Sequence, residues 1–216
     1  MNLFAEFASW FFGRIGDAVI PHKSMETQPF VAICVGHSRF IGGKRDGGAV
    51  SAGGVSEWDF NRDLAFAIER ILRERGIVGF VCDKYEGSGY TDSMRWVASR
   101  IKSKAATLAV ELHFNAATGT ARGHEWLFWG TSSASKRLAE SMRKSYATRF
   151  PLSVDRGIKA KGSGERGGEF LKLTHCPAVI CEPFFGDNPT EWATASQNQT
   201  AIAEAICDGI EDFINA

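Results

Sequence analysis

Leu108-Ala109-Val110-Glu111-Leu112-His113-Phe114-Asn115-Ala116 is the stretch on which the fold turns. It reads as a buried strand that stops at a histidine and becomes polar at Asn115. Strands of a parallel sheet are covered on both faces and so run almost continuously apolar. Their carboxyl ends form the edge where α/β proteins build sites. The pattern recurs twice, in Val31-Ala32-Ile33-Cys34-Val35-Gly36-His37 and in Pro177-Ala178-Val179-Ile180-Cys181-Glu182. Each run ends in a residue able to bind a metal or move a proton: His113, His37 and Glu182.

Working outward, residues 30–35, 77–82, 107–112, 124–129 and 177–182 read as strands. Helical spacing predicts helices over residues 57–75, 91–104 and 133–150, with a last one ending near Ile214. The first of these has Ser56 as its N-cap, Phe60, Leu64, Ile68 and Leu72 as its buried stripe, and Gly76 as its stop. Glu57 therefore falls in the first turn, where the exposed amides and the helix dipole favour its ionised form. Strands alternating with helices imply a single α/β domain with a mainly parallel, twisted sheet flanked by helices, over residues 30–216. His-Glu-Trp-Leu-Phe-Trp at 124–129 alternates as a strand with one exposed face would. The basic, glycine-rich segment 155–168 reads as a mobile loop. The glycines of residues 36–55 do not follow a strand into a helix, so they form no dinucleotide fingerprint.

Residues 1–29 differ from the rest. Leu3, Phe4, Phe7, Trp10, Phe11, Ile15 and Val19 recur at helical spacing, predicting an amphipathic N-terminal helix followed by a linker. Its apolar stripe suits its own domain, a membrane surface or a protein partner, and the sequence leaves these open. The first cation, Arg14, follows Glu6, so no export signal is readable. The charge-free stretch 7–13 is too short to span a bilayer.

The 216 residues suffice for a substantial core without disulfides. Lys+Arg and Asp+Glu are both 25, so no overall field steers the chain to nucleic acid or to an anionic membrane. The five cysteines form no C-x-x-C pair, and Cys34, Cys82 and Cys181 lie in strand-like runs as small hydrophobes. A monomer is expected.

Catalytic zinc takes three protein ligands from His and Asp/Glu and keeps a fourth position for water. His37, Glu57 and His113 supply such a set from two strand ends and a helix start, which a parallel sheet can bring to one edge. Their separations form no short motif. His22, His124 and His175 read as structural or solvent-exposed, and Trp126 and Trp129 as packing.

Several segments, in order, resemble the zinc-dependent N-acetylmuramoyl-L-alanine amidases of bacteria and phages. They are Gly36-His37, Asp46-Gly47-Gly48-Ala49, Ser56-Glu57 with Asn61, Leu112-His113-Phe114-Asn115-Ala116 and Gly123-His124-Glu125. Arg156-Gly157-Ile158-Lys159 and Val179-Ile180-Cys181-Glu182 with Phe185 and Asn188 complete the resemblance, which covers residues 30–214. It implies one zinc ion per chain on His37, Glu57 and His113, with Glu182 as the catalytic glutamate. The substrate implied is peptidoglycan, cut between N-acetylmuramic acid and the L-alanine of the stem peptide. Asn115 is a candidate substrate contact, and Arg156 and Lys159 are candidates to meet stem-peptide carboxylates. Glu111 stands where the family usually has a small polar residue, and Pro183-Phe184 replaces its usual glycine-containing step. The larger regulated members carry an inhibitory helix between these positions; here the interval from His113 to Glu182 reads as only a short flexible loop beside its ordinary strand and helix, so a site open without an activator is expected.

Two rival readings remain at this level: a zinc peptidase cutting within the stem peptide, and a non-catalytic wall-binding protein with structural zinc. Action on the cell wall, in the periplasm or outside, is expected. An endolysin that waits in the cytoplasm and a cellular autolysin both fit, and the absence of a readable export signal leans towards the former.

Overall fold

Val31, Ala32, Ile33, Cys34 and Val35 are all fully buried, as a strand paired on both sides and covered on both faces must be. They form β1 (Phe30–Val35) in the computed structural model, which describes residues 28–216. The helix expected over the N-terminal residues lies outside the described part. A hairpin follows, β2 (Ser38–Ile41) and β3 (Lys44–Asp46), then α1 (Glu57–Glu74), β4 (Val78–Cys82), α2 (Tyr90–Ser103) and β5 (Leu108–Leu112). The chain continues through β6 (His124–Trp129), α3 (Ser133–Arg149), β7 (Asp155–Lys161), α4 (Gly168–Leu173) and β8 (Ala178–Glu182). It closes with α5 (Pro189–Gln197) and α6 (Gln199–Ile214).

The six-stranded sheet has the order β4-β1-β5-β8-β6-β7. Only the β8–β6 pairing is antiparallel, so the expected mainly parallel sheet is what forms. One face carries Val31, Ile33, Val110, Leu112 and Val179 against α1, α3 and α6. The other carries Ala32, Cys34, Ala109 and Ile180 against α2 and α4. The four α1 residues Phe60, Leu64, Ile68 and Leu72 are buried as their spacing predicts. Each contributes about 1.5–3 kcal/mol by leaving water. Ser56 caps the helix by accepting from the Asp59 amide at 3.2 Å.

Three local expectations need correction. Trp126 and Phe128 pack on one face of β6 and Leu127 on the other, so this strand has no exposed face. Residues 155–161 form β7 rather than a loop, an exposed edge strand paired to β6 from His124–Asp155 to Trp129–Lys161. The last helix is two helices, α5 ending at the Asn198 cap where α6 begins. Among the described residues, no helix is long and apolar enough to cross a membrane.

α6 lies so close on α3 that a Cβ built at Gly209 would sit 2.6 Å from Met142 Cα. Gly209→Ala sets a helix-propensity gain of about 1 kcal/mol against a clash with backbone that cannot move aside. We expect the clash to win, with a net loss of about 1–3 kcal/mol in urea unfolding.

Candidate metal centre

Register brings three strand ends together. Val35 of β1 pairs with Leu112 of β5, and Leu112 pairs with Cys181 of β8. Just beyond, the Gly36 amide donates to Leu112 O at 2.8 Å and the His113 amide to Cys181 O at 3.0 Å. His37, His113 and Glu182 therefore emerge side by side at the carboxyl edge. His37 has φ +65°, a left-handed conformation that turns the chain sharply out of β1 into the hairpin.

Glu57 reaches this edge from the start of α1. Its backbone amide donates to Ala49 O at 2.9 Å. Its carboxylate accepts from the Ala49 amide at 3.0 Å and from the Phe114 amide at 3.1 Å. The loop must pass close over the carboxylate to do this, which position 48 allows. A Cβ at Gly48 would lie 2.5 Å from His37 Cδ2 and 2.6 Å from Glu57 Oε2, and its φ of +69° also favours glycine.

His37, Glu57 and His113 each offer a donor atom within 4.8 Å of the others. Glu57 Oε1 lies 2.8 Å from His113 Nδ1, and Glu57 Oε2 lies 3.3 Å from His37 Nε2. The two rings meet edge to face, 5.1 Å between centroids. Both histidines keep about a fifth of their side-chain surface open among the described residues, 19% and 18%, while Glu57 is buried. The Glu57 pKa is pushed far down: burial opposes ionisation, but the two imidazoles outweigh it. The His113 pKa is raised against burial by Glu111 and Glu57, and that of His37 by Glu57. The Coulombic field between carboxylate and imidazoles is what a cation would replace.

Glu182 is half-buried beside the cluster. Its Oε2 is shut off from solvent with no hydrogen-bond partner. Burial, reinforced by Glu57 and Glu125, pushes its pKa up to about 8, while His113 and Arg166 pull the other way. A carboxyl so poised can both take and return a proton near neutrality.

The side chains around the cluster are not all as expected. Asn115 donates to Glu125 Oε1 at 2.9 Å, and its own Oδ1 accepts from the Ala116 amide, so its amide is engaged within the protein. Arg156 donates to Glu125 Oε2 at 2.8 Å and lies over the Phe185 ring, while Lys159 is exposed on β7. His124 is fully buried and accepts from Trp126 Nε1 at 3.0 Å, a structural residue as read, and His175 is exposed. Asp46, 3.0 Å from His37 Nδ1, had no role assigned. Its place was legible in Ile41-Gly42-Gly43-Lys44, a hairpin signal whose glycines both have positive φ.

Solved structures share this fold. The catalytic domain of the CD27L endolysin targeting Clostridia Difficile superposes with a TM-score of 0.73 at 24% identity, covering 85% of this chain and 97% of that one. The catalytic domain of CwlV, an N-acetylmuramoyl-L-alanine amidase from Bacillus (Paenibacillus) polymyxa var. colistinus, gives 0.71 at 25% identity over 87% and 98%. The amidase AmiC2 of Nostoc punctiforme gives 0.73 at 20% identity over 88% and 98%. No curated protein matches by sequence. The sequence profile of the N-acetylmuramoyl-L-alanine amidases matches residues 31–212, from β1 into α6 and across all four residues gathered at the sheet edge. The chain therefore belongs to the N-acetylmuramoyl-L-alanine amidase family.

Proposed function

We propose that this chain holds one Zn2+ on His37, Glu57 and His113 and hydrolyses the amide between N-acetylmuramic acid and the L-alanine of the peptidoglycan stem peptide. The observation that carries this reading is the convergence of two imidazoles and one carboxylate, with Glu182 beside them, from four separate segments. The donor set fits zinc. It has the three His/carboxylate ligands of catalytic sites and no cysteine, whereas structural zinc is usually closed by four ligands. The contacts beneath it, Gly48 and the Ala49 amide, leave Glu57 Oε2 at the cluster.

Bound zinc supplies Lewis acidity, polarising the scissile carbonyl and lowering the pKa of water to about 7. The protein supplies the rest. Glu57 stays ionised and fixed by two backbone amides. Glu182 accepts the proton of the attacking water and returns it to the departing L-alanine amine, a shuttle suited to its unpaired Oε2. The site of action is the cell wall.

The deciding experiment digests purified peptidoglycan and identifies the released ends by mass spectrometry. We expect free L-alanine amino termini together with a free lactyl carboxylate on muramic acid. New ends only within the stem peptide would replace the reading with a peptidase. Zinc-loaded protein that releases nothing would replace it with a binding protein.

A further inference from the structure

Each histidine of the cluster stands between Glu57 and a second carboxylate. His37 presents Nε2 to Glu57 and Nδ1 to Asp46. His113 presents Nδ1 to Glu57 at 2.8 Å and Nε2 to Glu111 Oε2 at 3.4 Å. An imidazole that gives one nitrogen to a cation carries its proton on the other, and the acceptor of that proton fixes the ring's tilt and strengthens it as a donor.

Glu111 is an unusual acceptor. It lies inside β5, paired to Cys34 and Ile180, and is only 3% exposed. A charge there is costly unless it is paired. Among the described residues, the one ion-pair contact it makes is with His113. Its other oxygen accepts from Tyr85 Oη at 2.7 Å. Tyr85 is fixed in turn, its amide donating to Ser38 Oγ at 3.1 Å, next in the chain to His37. The strand would pack without a carboxylate, as its apolar neighbours do, so folding alone does not account for the residue.

We propose that Glu111, braced by Tyr85, is a positioning residue that orients His113 towards the cation by accepting from its Nε2–H. This rests on the metal reading above. It predicts that Glu111 acts on metal affinity and not through the stability of the fold.

The test uses protein stripped by a chelator, dialysed and titrated with Zn2+ in competition with a chromophoric chelator. Co2+ loading provides a visible spectrum, and urea unfolding of the metal-free forms provides the fold control. Parent protein that binds no Zn2+ would remove the metal reading itself and this inference with it. If the parent binds, Glu111→Gln should weaken affinity by about 10- to 100-fold, shift the Co2+ bands, and leave metal-free stability no lower than the parent's. Tyr85→Phe, which loses only the brace, should weaken affinity by a smaller factor of the same sign. Parent-like affinity in folded Glu111→Gln overturns the assignment. Should that variant not fold, Tyr85→Phe decides alone, parent-like affinity again overturning it.

Discussion

Glu182→Gln is expected to lower peptidoglycan hydrolysis by about 10²–10⁴-fold while leaving the zinc content at the parent level. Glutamine keeps the shape of the side chain but can neither take nor return a proton. It lies outside the donor cluster, so the three ligands remain. The same substitution should stabilise the metal-free protein in a pH-dependent way. Burial raises the Glu182 pKa from the ordinary 4.5 to about 8, so between those values the folded state holds a proton that the unfolded state releases. Stability therefore falls as pH rises through this window. Glu182→Gln removes this group's share of the dependence and leaves that of the raised His113 and His37. Urea unfolding should show parent and variant nearly equal at pH 4.5 and the variant more stable at pH 8, by on the order of 1–3 kcal/mol. A variant that still turns over peptidoglycan would end the proton-shuttle role. A parent–variant difference that stays constant across this window would show that the carboxyl is not held protonated.

His113→Ala is expected to abolish zinc binding and to reduce turnover by at least about 10³-fold, since several kcal/mol of transition-state stabilisation go with the metal. Unlike the parent stripped with a chelator, it should not recover when zinc is restored. Its fold should suffer as well. Removing the imidazole leaves Glu57 facing only His37 and its two backbone amides, and leaves Glu111 buried without a counter-charge. Breaking such a pair costs about 3 kcal/mol. Elemental analysis, activity with and without added zinc, and urea unfolding separate these effects. Retention of one zinc per chain in His113→Ala would remove this residue from the ligand set.

The two variants contrast because of where the groups come from. Glu182 ends β8 and stands beside the cluster, whereas His113 follows β5 at its centre, bonded to Glu57 through Nδ1 and 3.4 Å from Glu111 through Nε2. On the proposed function, loss of the first would remove a reaction step and loss of the second would dismantle the site.

Much of the architecture can be read along the chain. A parallel strand buried on both faces must be an apolar run, so β1, β5 and β8 are visible with their terminal His37, His113 and Glu182. The α1 start is equally plain, since an N-cap serine and a stripe at helical spacing place Glu57 in the first turn. β7 was hidden because its lysines, arginine and glycine have the composition of a loop. It is a strand because β6 offers it a ladder, and as an edge strand it keeps its polar side chains in water. The face of β6 was misjudged for a similar reason: alternation shows a strand, but only the packed layers show that both its sides are covered.

What the amino-acid order by itself determined is the kind of fold and the identity of the four groups at its edge, because burial periodicity and helix capping are local properties. Only the tertiary structure decided how those groups meet: Glu57 between two imidazoles, Asn115 spent on Glu125, and Glu111 behind His113 with Tyr85. The Glu57–His113 and Tyr85–Glu111 contacts join residues tens of positions apart, and strand register and loop closure set the distances between them. A glutamate inside an apolar strand looks like an exception until the residue it faces is known.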